Sequence, residues 1–123
     1  MAYAQDGSRR AYPADADYSV TGQYRAMKRT ATGIVQCGAA DNDFLGMLQD
    51  DPKAGESGTV QVRDVSKAVA GGVVALTDEL TTDATGRLVA AATGNPIVAR
   101  PLEAAAAAGD LFSVEIRREG AKP

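Results

Sequence analysis

The clearest periodicity in the chain lies near its carboxy terminus, where Phe112, Val114 and Ile116 alternate with Ser113, Glu115 and Arg117. Successive side chains of a strand point to opposite faces, so this segment predicts a half-buried strand with its three apolar residues inward. Thr59-Val60-Gln61-Val62-Arg63 repeats the pattern in mid-chain, with Val60 and Val62 on one face and Thr59, Gln61 and Arg63 on the other. Shorter strand-like stretches come before it: Tyr18 to Thr21, Ala26 to Ala31, Ile34 to Cys37 and Phe44 to Gln49. Gly22, Gly33 and the turn signal Asp41-Asn42-Asp43 punctuate them. Because Asp51 precedes a proline it favours extended backbone, and the chain should leave the sheet there into a loop reaching Gly58. Val65 to Val69 continues the mid-chain strand after a bend, and Gly71-Gly72 breaks it before the short apolar stretch Val73 to Leu76. Asp83-Ala84-Thr85-Gly86 is hairpin punctuation ahead of Arg87 to Ala90.

Two segments lack such a pattern. Residues 1–17 have no apolar period and cannot bury a face, so they read as an extended or disordered arm, with Tyr3, Tyr12 and the Arg9-Arg10 pair as its possible anchors on a partner. Arg100-Pro101 followed by Leu102 to Ala108 and Gly109 fits either a two-turn helix, with Pro at its start and Gly past its end, or a strand running into a loop. The expected fold is mainly β: a small antiparallel β barrel or sandwich over residues 18–118 as a single domain, with an extended N-terminal arm, at most one short helix and a polar tail at 119–123. No repeat occurs at a solenoid or propeller period.

Composition changes this picture in three ways. The hydrophobic share is 45%, but much of it is Ala, and only 5% of residues are aromatic, so the core is thin and association with further copies or another surface is expected. Thirteen Lys and Arg against 16 Asp and Glu give a net charge of -3, which argues against nucleic acid and membrane surfaces as partners. No apolar run is long enough to span a bilayer. With no His and a single Cys, a His-based triad, a zinc site and an internal disulfide are all ruled out, and Cys37 reads as a small buried hydrophobe of a reducing cytoplasm.

Candidate chemistry is correspondingly sparse. Asp50 and Asp51 are the adjacent carboxylates that a small acid-dependent hydrolase would use, yet neighbours on an extended chain diverge, and a solvated turn accounts for them. Asp41 and Asp43 lack the Gly and distal Glu of a calcium loop. Gly71-Gly72 and Gly55-Glu56-Ser57-Gly58 lack the ending of a phosphate loop and read as turns. The basic clusters Arg9-Arg10, Arg25-Lys28-Arg29 and Arg117-Arg118 are short and offset by acids, as solvated or interface residues are. The residues therefore point to no catalytic, cofactor or metal site.

An ordered series of short motifs carries a resemblance. It runs Gly46-Met-Leu-Gln-Asp-Asp-Pro-Lys-Ala-Gly-Glu56, Gly58-Thr-Val-Gln-Val62, Ser66-Lys-Ala-Val-Ala-Gly71, Leu80-Thr-Thr-Asp-Ala-Thr-Gly-Arg87 and Leu102-Glu-Ala-Ala-Ala-Ala-Ala-Gly-Asp-Leu111. Over residues 44–118 the chain resembles the capsid cement, or head decoration, proteins of tailed phages, whereas residues 1–43 match nothing. The resemblance implies a compact β fold on the outer surface of an icosahedral head, made in the host cytoplasm and bound to the major capsid protein as a homotrimer at local three-fold positions. It also implies that Leu102 to Asp110 is a strand running into a loop. In that setting Tyr3, Arg9, Arg10 and Tyr12 become candidate capsid contacts through strand addition. The alternative is a displayed module that recognises a host glycan or protein.

Overall fold

A computed structural model describes residues 8–123, and these form ten β-strands and no helix. The strands are β1 (Arg9–Pro13), β2 (Ala26–Arg29), β3 (Ile34–Gln36), β4 (Phe44–Leu48), β5 (Ser57–Gln61), β6 (Asp64–Val69), β7 (Leu80–Thr82), β8 (Leu88–Ala90), β9 (Pro96–Pro101) and β10 (Leu111–Ala121). They make two antiparallel five-stranded sheets, ordered β1-β5-β4-β2-β3 and β6-β10-β9-β7-β8. Neither sheet closes. Their edge strands approach at single bridges, Ala14 with Ile34 and Ala70 with Leu88, so the fold is sandwich-like and the barrel alternative is corrected.

The alternating segments form as their patterns predict. In β10, Phe112, Val114 and Ile116 are buried, while in β5 Val60 is buried and Val62 follows it inward. One apolar cluster joins the sheets, bringing Ala26, Cys37, Phe44 and Met47 of the first against Leu80, Leu88, Phe112 and Val114 of the second. A smaller cluster of Tyr18, Met27, Ile34, Leu48 and Val60 fills the first sheet alone. Residues 9–13, expected within the arm, are extended and pair along their whole length with β5 of the same chain. Strand β10 runs on through Ala121, where Gly120 and Ala121 pair with Ile97 and Pro96. The Ala-rich stretch is a loop with one bridge, Ala105 to Val74, and Tyr18 to Thr21 is a turn and not a strand.

The strand orders coincide when five is subtracted from each label of the second sheet, and the agreement extends to atoms. Arg9 pairs with Gln61 as Val65 does with Glu115, and Pro13 pairs with Ser57 as Val69 does with Leu111. Ala14 donates to Glu56 and accepts from Gly55, both at 2.8 Å, and Ala70 makes the same 2.8 Å bonds with Asp110 and Gly109. Gly55 and Gly109 both hold positive φ, 85° and 91°, the left-handed turn geometry that glycine tolerates. The Asp50 carboxylate accepts from Thr59 N at 3.0 Å as that of Glu103 does from Ser113 N at 2.9 Å. The chain is thus two copies of one five-strand unit, with equivalent glycines spaced 54 residues apart. Faint sequence echoes survive at Ala31-Thr32-Gly33 and Ala84-Thr85-Gly86.

Candidate docking surface

Among the described residues β1 is an edge strand, with one side of its backbone bonded to β5 and the other not. Val62 N donates to Ser8 O at 2.7 Å and Ala14 N to Glu56 O at 2.8 Å, which turns the backbone groups of even-numbered residues toward β5. Those of Arg9, Ala11 and Pro13 turn away. Pro13 has no N–H, and its carbonyl lies against Gly33, where an added Cβ would stand 2.0 Å from it. The open hydrogen-bonding positions are therefore the N–H and C=O groups of Arg9 and Ala11.

Guanidinium groups flank this edge on both faces. On one face Arg9 Nε donates to Gln61 Oε1 at 2.8 Å, and the buried Gln61 passes the contact on through Nε2 to Arg63 O at 2.7 Å. On the other, the Arg29 guanidinium stacks 4.2 Å from the centroid of the Tyr12 ring. Burial raises the Tyr12 phenol pKa, but hydrogen bonding and charge from Arg10 and Arg29 outweigh it and set the phenol below its ordinary value. Arg118 reaches over from β10, donates to the carbonyls of Phe44 and Leu45, and lies 5.6 Å from the Phe44 ring centroid. Burial, and then the charge of Arg10, push the Arg118 pKa down, so the cations sense one another. Among the described residues no carboxylate lies within ion-pair distance of Arg9, Arg10, Arg29 or Arg118.

The sequence candidates fall as follows. Arg9, Arg10 and Tyr12 lie together on β1, while Tyr3 lies outside the described residues. Their companions Arg29 and Arg118 come from β2 and β10, and nothing in the local sequence links them to β1. Lys28 is held 2.9 Å from Asp41 and Arg117 sits between Glu115 and Glu119, so these two are neutralised within the chain, while Arg25 donates to Thr85 O at 3.0 Å. Asp50 is occupied by Thr59 N and Asp51 is exposed in the loop, so the two do not converge. Asp41 accepts from Gly38 N and Asp43 N, as a turn residue does. Burial pushes the Cys37 thiol up to about 12, which keeps it protonated and inert. Among the described residues no group of three His, Cys, Asp or Glu is placed to hold a metal ion.

A site of edge backbone and unpaired cations suits binding, and comparison with known proteins agrees. A sequence model of phage cement proteins matches residues 18–118. The chain belongs to the phage cement protein family. As a cement protein it is a structural component associated with the phage capsid, and its family is structural and not enzymatic. The head fiber gp8.5 N base of bacteriophage phi29 shares the fold at a TM-score of 0.68 and 17% identity, over 94% of this chain and 98% of that one. No curated protein matches the chain by sequence. Strand β1 with Arg9, Arg10 and Tyr12 lies outside the span that the cement family matches.

Proposed function

We propose that this cement protein decorates the outer surface of an icosahedral phage head, where it binds the major capsid protein as trimers at local three-fold positions and stabilises the shell. The observation that carries the reading is the family match over residues 18–118, which spans β2 to β9 and most of β10. The absence of His from the sequence and the divergence of Asp50 from Asp51 support a binding role without catalysis. A thin, Ala-containing core supports a protein that gains stability from association. In a trimer that touches several subunits, modest contacts multiply through effective concentration, so each need not be strong. Residues 18–118 serve as the folded body and residues 1–17, with Tyr3, Arg9, Arg10 and Tyr12, as the segment through which the capsid is met. Synthesis in the host cytoplasm suits a chain whose one cysteine is buried.

The test is co-sedimentation of the purified chain with expanded, undecorated heads assembled from the major capsid protein of the same genome, reading bound copies per shell. Saturation at the number of trimers that local three-fold positions allow is the expected result. Absence of binding to correctly expanded heads refutes the reading.

A further inference from the structure

The internal duplication allows each β1 position to be set beside the β6 position that shares its backbone register. Arg9, Arg10 and Tyr12 of β1 correspond through their β5 and β10 partners to Val65, Ser66 and Ala68 of β6. Arg29, opposite Ile34, corresponds to Thr82, opposite Leu88. At these four places the second half has no cation or aromatic ring: Ser66, Ala68 and Thr82 are buried where Arg10 and Arg29 are exposed, and the one cation of β6 is Lys67, at the position of Ala11. The first half thus gathers three exposed guanidinium groups around one edge, with Arg118 adding a fourth positive charge from β10, and no carboxylate among the described residues neutralises them.

We propose that the open edge of β1 is a docking site for an extended, carboxylate-bearing strand of another protein, with two adjacent acidic residues of that strand meeting Arg9 and Arg10. The edge supplies the N–H and C=O groups of Arg9 and Ala11 to a new ladder, the mode by which a strand adds to a sheet. Adjacent residues of an added strand face opposite sides, as Arg9 and Arg10 do, so neighbouring carboxylates meet one cation each. Arg29 and Arg118 thicken the field on the Arg10 side and draw an anionic partner toward it. Carboxylate is favoured over phosphate backbone because the open backbone groups fit an extended peptide and the chain as a whole is anionic, at -3. On the reading given under Proposed function, which this inference deepens, the added strand belongs to a capsid subunit.

The experiment uses the full chain, labelled with 15N, and three probes. These are a six-residue peptide with two central glutamates flanked by threonine and valine, the same peptide with glutamines, and a single-stranded oligonucleotide. The acidic peptide is expected to shift the amides of Arg9 and Ala11. The glutamine peptide, or the acidic peptide on Arg9→Gln/Arg10→Gln, should bind about tenfold more weakly, the effect of losing two exposed ion pairs. The variant is expected to fold, since Arg9 and Arg10 are both exposed, and its unchanged spectrum elsewhere verifies that. Equal titration by both peptides, or shifts away from β1, overturns the proposal. Tighter binding of the oligonucleotide at the same amides replaces the carboxylate partner with a nucleic acid. Because no heads are used, success here with failure of the co-sedimentation would leave the docking edge standing and remove the capsid as its owner.

Discussion

The β7–β8 turn offers a quantitative test of the duplication. Asp83 Oδ1 accepts from the backbone N–H groups of Thr85 and Arg87, both at 2.9 Å, and from Thr85 Oγ1 at 3.1 Å, while Oδ2 takes the Arg87 Nε at 2.9 Å. At the matching place in the β2–β3 turn stands Thr30, whose single hydroxyl accepts from Thr32 N at 3.3 Å and Gly33 N at 3.0 Å. Hydrogen bonds to a charged group contribute about 1.5–3 kcal/mol and an ion pair near the surface about 0.2–1 kcal/mol. Water replaces part of this once the carboxylate is gone, so Asp83→Ala should cost about 2–3 kcal/mol. In a chain of this size that lowers Tm by about 6–15 °C in thermal unfolding followed by circular dichroism. Asp83→Thr, which installs the hydroxyl of the first half, should recover roughly half of the loss.

The pH dependence has a definite sign. Burial raises the Asp83 pKa, but the hydrogen bonds from Thr85 and Arg87 outweigh it and hold the carboxyl below its ordinary value. Its contribution is therefore full above the unfolded value near 3.9 and is lost as pH falls through the lower folded value. The Tm gap between the parent and Asp83→Asn should be constant above about pH 5 and shrink in acid. A gap that widens in acid, or an Asp83→Thr as damaging as Asp83→Ala, would refute the equivalence of the two turns.

Three further outcomes are expected. Leu102→Gln and Leu111→Ser should leave Tm within about 2 °C of the parent, because both leucines are exposed and the first half carries Gln49 and Ser57 at these positions. Gly46→Ala should cost about 1–3 kcal/mol in urea unfolding, since the new Cβ would lie 2.1 Å from Gln61 O in the middle of the sheet. Cys37 should resist thiol labelling at pH 8 in the native protein and react fully in denaturant, because burial keeps it protonated; rapid native labelling would contradict its placement in the shared core.

Strands that bury one face in regular alternation were legible in the sequence, and those held by distant partners were not. The inward residues of β10 and the exit from β4 at Asp50-Asp51-Pro52 follow from alternation and from proline chemistry. Strand β7, Leu-Thr-Thr, carries no apolar period, yet all three residues are buried; Thr82 is satisfied by Gly38 O and Asp41 N, more than forty positions away. Strand β9 begins and ends in proline and holds Arg100, which is retained by Glu119 at 2.7 Å and Glu79 at 3.3 Å. Strand β1 has no face to bury and is held by main-chain bonds to β5, so its sequence reads as an arm. Arg9, Arg10 and Tyr12 could be proposed from that reading, whereas Arg29 and Arg118 reach the same surface only through the sheet order. The duplication itself is hidden because its halves keep backbone geometry, such as Gly55 and Gly109, and very little side-chain identity.

That divergence bears on how a cement protein can work. Both halves must fold on the same strand order, so the register and the Gly55 and Gly109 turns are held in common, while the surfaces are free to separate. Here they separate by chemistry: the first half carries Arg9, Gln49 and Ser57 where the second carries the exposed Val65, Leu102 and Leu111. The apolar cluster that joins the sheets ties the two unlike surfaces into one body. A rigid body with two unlike surfaces can engage two different neighbours at once, and once the first contact forms, the second proceeds at high effective concentration. Strength then comes from the geometry of the join between the halves, and weak individual contacts suffice. Such a body needs little side-chain chemistry of its own, as fits a structural component associated with the phage capsid.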